Sequence, residues 1–431
     1  MKQILTFGFL LIGLLSFGQS QSVSIDKKEK GQLIDSLTIL LNNYYIFPEK
    51  IPPSISLLKT NLKKGVYDII NDANEFADKL TEDVVSITND KHFRIAFDPE
   101  KVREESKYQT NSSTSTSEKD RATNFGFEQV KILNGNIGYI NLTGFYDLSF
   151  SSAPLNAAMN FVANSDALII DLRNNHGGAS DLGPYFSAFF FKEPQLLYDF
   201  YTRENNKTIH QQYWTQTYVN GKRLTNVPIV ILTSNFTFSA AEAFAYSLQS
   251  LNKATIVGEN SGGGAHMWTG KIVTTNFYAH IPFARPVDPR TNTNWEVTGV
   301  NPNVKCDANQ ALVNAQIEVL KVLMTKNSAN SSNYQWHIDG LKPQLTELKI
   351  DSEKLNTYVG DYSNIKILFN NDKLYFVWRG TKSEMIPLAT DYFMTNEFNF
   401  FRIKIVEQNG KVSALKIIND NETEREFAKT K

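Results

Sequence analysis

Residues 227–248 read VPIVILTSNFTFSAAEAFAYSL: an apolar run, a short polar turn and an Ala-rich stretch. Ile229, Val230, Ile231 and Leu232 have the composition of a strand buried on both faces. Pro228 is compatible with this because it falls at the strand's start. Ser239 then opens a helix, and two readings of it stand side by side. As an N-cap it is well placed, with Glu242 at the capping-box offset. Taken alone, this segment favours the cap, but it also suits a nucleophile. The strand fixes the backbone, the turn exposes the hydroxyl, and the first helical amides point where an oxyanion would form.

Outward from this segment the chain alternates strand and helix. Residues 137–142 and 167–172 read as strands, with a helix over 151–163 between them, and 255–258 reads as a further short strand. Such alternation predicts an α/β core with a substantially parallel sheet. Towards the N-terminus the pattern is helical, with Leu33, Leu37, Leu40 and Leu41 at helical offsets and breaks expected at Phe47-Pro48 and Pro52-Pro53. A second helix is expected over 55–63, and a third after Asp72 with Phe76, Leu80, Val84 and Val85 near one face. Residues 101–123 are rich in Ser, Thr, Glu and Lys and read as an exposed linker or loop. From about Leu341 the character changes to short strands at 365–369, 374–377, 400–406 and 412–418. Asn370-Asn371-Asp372 and Gln408-Asn409-Gly410 between them are hairpin signals. The expected organisation is a signal peptide at 1–20, an N-terminal helical bundle at 21–98, a polar linker at 99–123, an α/β core at 124–325 and a small C-terminal β domain at 341–431.

The 431 residues include 44 basic and 45 acidic side chains, a net charge of -1. That balance argues against nucleic acid or an anionic membrane surface as the main partner. The single cysteine, Cys306, excludes an intrachain disulfide and a cysteine-built metal site. Lys2 followed by the apolar stretch 4–15 and then Ser16, Gly18 and Ser20 has the form of a secretory signal peptide, shorter than a membrane span needs. No cysteine closely follows it, which excludes lipid anchoring there. The expectation is an exported, soluble protein, periplasmic or extracellular.

A serine nucleophile needs a base, an orienting group and an oxyanion site. The chain offers six histidines, none paired with another at a helical metal-ligand spacing, which argues against a zinc site. His92, in Asn89-Asp90-Lys91-His92-Phe93, sits where the helical bundle gives way to an extended segment. It suits either a catalytic base facing a cleft or a surface or capping histidine. The loop 171–178, DLRNNHGG, leaves a buried strand at its carboxyl end, where open α/β sheets bind ligands. Gly177 or Gly178 could bring a backbone amide close to substrate, with His176 flanking; a plain tight turn is compatible with that role. Glu296, in WEVTGVNP at 295–302, could be an ordinary exposed glutamate or the group that orients a histidine.

Taken in order, NIGYI at 136–140, the DLRNNHGG loop, FSAAEAF around Ser239, GENSGGGAH at 258–266 and WEVTGVNP resemble the C-terminal processing (tail-specific) serine protease family. The preceding helices and DKHF at 90–93 resemble the branch containing the tricorn core protease and interphotoreceptor retinoid-binding protein. The resemblance covers residues 27–324. It implies an α/β protease core of the ClpP/crotonase-like kind and a serine peptidase acting on peptide or protein substrates, without a cofactor. It also implies Ser239 as nucleophile, His92 as general base, Glu296 as its orienter, and Ala240 N–H with a glycine of the Gly177-Gly178 pair as the oxyanion hole. Many members instead use a Ser–Lys dyad, but here Gly264 falls where that lysine would stand. The PDZ module common in the family also has no counterpart in the short polar linker. Lys91 stands where tricorn-like sites carry a serine before the histidine. The alternative function is a catalytically retired protease scaffold that binds an apolar ligand or peptide.

Overall fold

The computed structural model describes residues 23–108 and 118–430. The signal-peptide reading of 1–20 therefore lies outside the described residues, as does the middle of the polar linker. The chain divides into two compact units. One comprises the described part of Met1–Ser112 with Arg203–Lys207 and Trp268–Phe283; the other comprises Ser113–Thr202, Thr208–Met267 and Ala284–Lys431.

The first unit begins with α1 (Lys27–Tyr44), whose Asp26 cap and Glu29 form a reciprocal capping box. The expected break at Pro52-Pro53 does not occur. The two prolines sit in the first turn of α2 (Ile51–Lys63), where a missing N–H costs no helical hydrogen bond. Asp72 caps α3 (Ala73–Thr88) by accepting from the Asn74 and Glu75 amides. Strand β1 (Arg94–Phe97) follows and pairs antiparallel with residues 277–280. Leu33, Leu37, Leu58, Phe76, Leu80 and Val84 form the core of this unit, completed by Val273, Phe277, Ala279 and Ile281 from far along the chain.

The stretch read as an exposed linker is partly helical. Asp98 caps α4 (Pro99–Tyr108) by accepting from Lys101 N–H, and Val102 is buried. One apolar residue and a good cap suffice for a short helix in an otherwise polar segment. A single-turn helix α5 (Glu118–Ala122) follows the undescribed residues.

The second unit is built on a six-stranded sheet. Its strands are β2 (Phe127–Leu133), β3 (Ile137–Leu142), β4 (Ala167–Asp171), then β7 (Ile229–Thr233), β8 (Ala254–Gly258) and β11 (Val304–Lys305), in the order β11-β8-β7-β4-β3-β2. All neighbours are parallel except β2 against β3. Every residue of β4 and β7 is buried, as expected of central parallel strands covered on both faces. Alternate residues feed two cores. Leu168, Ile170, Ile229 and Ile231 meet α6 (Leu148–Phe161), α7 (Leu182–Ala188) and α8 (Ala240–Ser250). Ile169, Val230 and Leu232 meet α9 (Ala308–Lys326) and α10 (Ser331–Leu341). Between β4 and β7 the chain inserts β5 (Leu196–Glu204) and β6 (Lys207–Trp214). Strand β9 (Met267–Ile272) precedes β10 (Phe277–Val287), which pairs with β5 through Ala284–Val287.

Beyond α11 (Ser352–Thr357) the chain forms two antiparallel sheets, 360–384 and 386–428, around a shared core that includes Tyr358, Tyr362, Phe376, Phe393 and Ile403. Both predicted hairpins form. Asn371 and Asp372 take φ 50° and 56°, and Asn409 and Gly410 take 49° and 73°, the left-handed pairs that tight hairpin turns require. The tyrosines Tyr358 and Tyr362 are fully buried, so they pack rather than present a binding face.

Candidate active site

The loops that follow β4 and β7 are laced together at the carboxyl end of the sheet. Thr237 Oγ1 donates to Leu172 O at 2.7 Å, Ser234 Oγ donates to Arg173 O, and Phe238 N–H donates to Asn175 O at 3.0 Å. Asn175 is fully buried, and its Nδ2 donates to Leu142 O at 2.8 Å, tying in the end of β3 as well. This residue was not singled out by the sequence reading. A polar residue buried at a strand's carboxyl end is not distinguishable from a loop asparagine in one sequence.

The lacing forces the chain through a sharp elbow at Ser239, with φ 51° and ψ −119°. A non-glycine residue there is strained by about 1–3 kcal/mol and persists only where its surroundings over-determine it. The strand–elbow–helix arrangement is the one by which a serine is lifted from the backbone at the head of an α/β sheet. Gly177 makes the elbow possible. A Cβ on it would lie 2.8 Å from Ala240 N and 2.8 Å from Ser239 Cβ, and its φ of 89° suits glycine. Gly177 N–H is already given to Asn175 Oδ1 at 2.8 Å. Gly178, by contrast, borders the same cavity as Ser239 and Ala240. His176 is exposed, edge-on to Phe236.

Glu242 does more than cap. It is fully buried, and its carboxylate accepts from four donors: Ser239 N–H at 2.8 Å, Ser261 Oγ–H at 2.5 Å, Gly263 N–H at 2.7 Å and Gly264 N–H at 2.9 Å. Burial pushes its carboxyl above the ordinary range, and the hydrogen bonds from Ser261 and the backbone amides oppose that. Through this one side chain the elbow and the 261–264 loop are held together. Ser261 Oγ in turn accepts from Val300 N–H at 2.6 Å. A side chain at position 264 is excluded, because a Cβ on Gly264 would fall 2.0 Å from Phe238 Cζ. The place where many relatives of the resemblance carry lysine is filled by an aromatic ring.

Glu296 lies next along this surface. Its Oε2 accepts from Ala265 N–H at 2.6 Å and His266 N–H at 3.2 Å, and stands 3.8 Å from His266 Nδ1. His266 is buried, a neighbour that the sequence reading did not weigh. Ser239, Ala240, Gly178, Ala265 and Trp295 all border one small cavity of about 50 Å³, whose other walls are Tyr198, Phe200, Ala243, Met267 and Pro286 among others. Five of the six predicted residues thus lie within the α/β unit, Glu296 adjoining the cavity through its neighbours Ala265 and Trp295. His92 belongs to the other unit, half-buried in the loop from α3 to β1. Its N–H donates to Asp90 Oδ1 at 3.0 Å, and Tyr45 OH reaches Asp90 Oδ2 at 3.3 Å, so its loop is pinned to the helical bundle.

Among the curated proteins, the chain is 30% identical over 128 residues to a carboxyl-terminal-processing protease of Synechocystis, covering 30% of this chain and 28% of that one. It is 28% identical over 144 residues to a protease of the same description from Picosynechococcus, covering 33% of each. The chain thus matches about a third or less of the length of these curated relatives. Among solved structures, the photosystem II D1 C-terminal processing protease aligns with a TM-score of 0.43 at 15% identity, over 65% of this chain and 93% of that one. The model of peptidase family S41 matches residues 136–306, and that of the N-terminal domain of this family in eukaryotic interphotoreceptor retinoid-binding protein matches residues 18–129. By these matches, in order and nearly contiguous, the chain belongs to the peptidase S41 family.

Proposed function

We propose that this chain is an exported serine peptidase that hydrolyses peptide bonds through an acyl-enzyme. Ser239 Oγ attacks the scissile carbonyl carbon as its proton passes to His92, and Glu296 orients the imidazole and stabilises its protonated form. The carbonyl oxygen becomes an oxyanion held by Ala240 N–H and Gly178 N–H. The amine product leaves with the proton from His92, and water, deprotonated by the same base, releases the acid product. The observation that carries this reading is the strained elbow at Ser239, maintained by Asn175, Gly177 and Glu242 at the carboxyl end of the sheet. Export rests on the form of residues 1–20.

The cavity beside Ser239 is walled mainly by aromatic, Ala, Met and Pro side chains, which supports a small apolar residue on the acyl side of the cleaved bond. The test is cleavage of a peptide library together with labelling by a serine-directed covalent reagent. Ser239→Ala is expected to fold normally, lose labelling and lose hydrolysis by roughly 10⁴-fold or more. His92→Ala should lose comparable activity and Glu296→Gln less. Full hydrolysis by Ser239→Ala would overturn the reading. A wild-type protein that neither labels nor cleaves would point instead to a retired scaffold.

A further inference from the structure

A second cavity, of about 380 Å³, lies far along the chain from these residues, where α10 meets the strand Phe401–Gln408 of the C-terminal sheets. Arg402 forms part of its wall. Its neighbours Phe401 and Ile403 point into the C-terminal core, and alternation turns Arg402 towards α10. There the guanidinium lies over the Trp336 ring, 4.2 Å from the centroid, and Nη2 donates to Trp336 O at 3.4 Å. Gly340, one helical turn on, makes room for it, since a Cβ at that position would stand 2.8 Å from Nη2. The residue is only 3% exposed, yet Nη1 has no hydrogen-bond partner and the guanidinium forms no ion pair among the described residues. A buried guanidinium normally carries a carboxylate or phosphate partner, because removing its hydration without one is costly.

The remaining walls fit a polar ligand. Asn134, Gln316, Gln344, Asn396 and Asn399 border the cavity with amide groups that both donate and accept. His337, also in the wall, is held below its ordinary pKa by burial and by the Arg402 charge, and so is neutral at neutral pH. The opposing charges are Asp420, an exposed carboxylate at the border, and Asp339, whose Oδ1 accepts from Gln335 and Lys342; neither forms an ion pair with Arg402.

We propose that this cavity is a binding site for a carboxylate ligand, with Arg402 as its anchor and the surrounding amides as partners for the adjoining polar group. The carboxylate accepts from the guanidinium, and a peptide's free C-terminus or a small free acid could each supply it. The proposal does not depend on the role of Ser239.

The test is calorimetric titration of the full chain carrying Ser239→Ala, which prevents turnover, with N-acetyl-dialanine, its C-terminal amide and acetate. The acid is expected to bind and the amide to bind at least tenfold more weakly. Tighter binding of the peptide acid than of acetate assigns the site to chain ends; equal binding assigns it to small carboxylates generally. Arg402→Met should weaken the acid at least tenfold. Asn399→Asp, at an exposed position, should do the same by placing a competing carboxylate in the cavity without disturbing the fold. Equal binding of acid and amide, no binding at millimolar concentration, or an unchanged affinity in Asn399→Asp or in folded Arg402→Met would overturn the proposal.

Discussion

At the scale of single residues, the candidate site depends on what is absent as much as on what is present. Gly177 and Gly264 each stand where a methyl group would collide with the elbow, and Phe238 fills the space in front of Gly264. Gly264→Ala is therefore expected to destabilise the protein by about 1–3 kcal/mol, as overpacking does. The Gly264 amide would also be pulled from Glu242. Urea unfolding of the variant beside wild type measures this; unchanged stability would mean that Phe238 moves aside without cost. Glu242 was visible in the sequence as a capping-box partner of Ser239. Its bonds to Ser261, Gly263 and Gly264 were not, because they join positions 19 to 22 residues apart in the chain.

At the scale of elements, α8 does two things at once. Its first residue follows the elbow, and its fourth, Ala243, lies one turn on and borders the apolar cavity beside Ser239. Ala243→Leu should fill much of that 50 Å³ space. The expected result is a fall of about tenfold or more in kcat/KM for peptides, the scale on which one or two methylenes discriminate in an apolar pocket. Labelling by a small serine-directed reagent should continue. Loss of both together would argue that the substitution disturbs the elbow rather than the cavity. The strand–helix–strand reading of the core and the two C-terminal hairpins were legible because each depends on local signals: uninterrupted apolar runs for β4 and β7, and Asn-Asp or Asn-Gly pairs for the turns. The first turn of α2 was misread because a Pro-Pro pair signals both a break and a beginning. Which of the two applies is decided by the residues packed behind it, Leu58 among them.

At the scale of the whole molecule, half-buried histidines couple stability to pH. His280 stacks on Trp268 with ring centroids 3.9 Å apart. Burial, followed by the charges of Arg94 and Lys101, holds its pKa below the ordinary 6.5. His337 is depressed in the same direction by burial and Arg402. Between 6.5 and these lowered folded values the unfolded chain binds more protons than the native one, so stability falls as pH drops through that window. Denaturant unfolding measured from pH 7.5 down to pH 5 should show this slope, and His280→Phe should flatten it. A variant with an unaltered slope would exclude His280 as a source. Each unit has its own core, and the described helices include none long and apolar enough to cross a membrane.

Sequence alone determined the order of the architecture: helices first, a parallel-sheet core with a serine at the head of a central strand, and a β region at the end. It could do so because hydrophobic periodicity, turn residues and caps act over a few positions. Tertiary structure alone decided three things. Residues 268–283 complete the N-terminal unit, Asn175 and Glu242 hold the elbow in a strained conformation, and Arg402 is buried against α10 with no ion pair among the described residues. Each depends on groups brought together from distant parts of the chain. Their energies come from packing and from satisfying buried polar atoms, which no local pattern records.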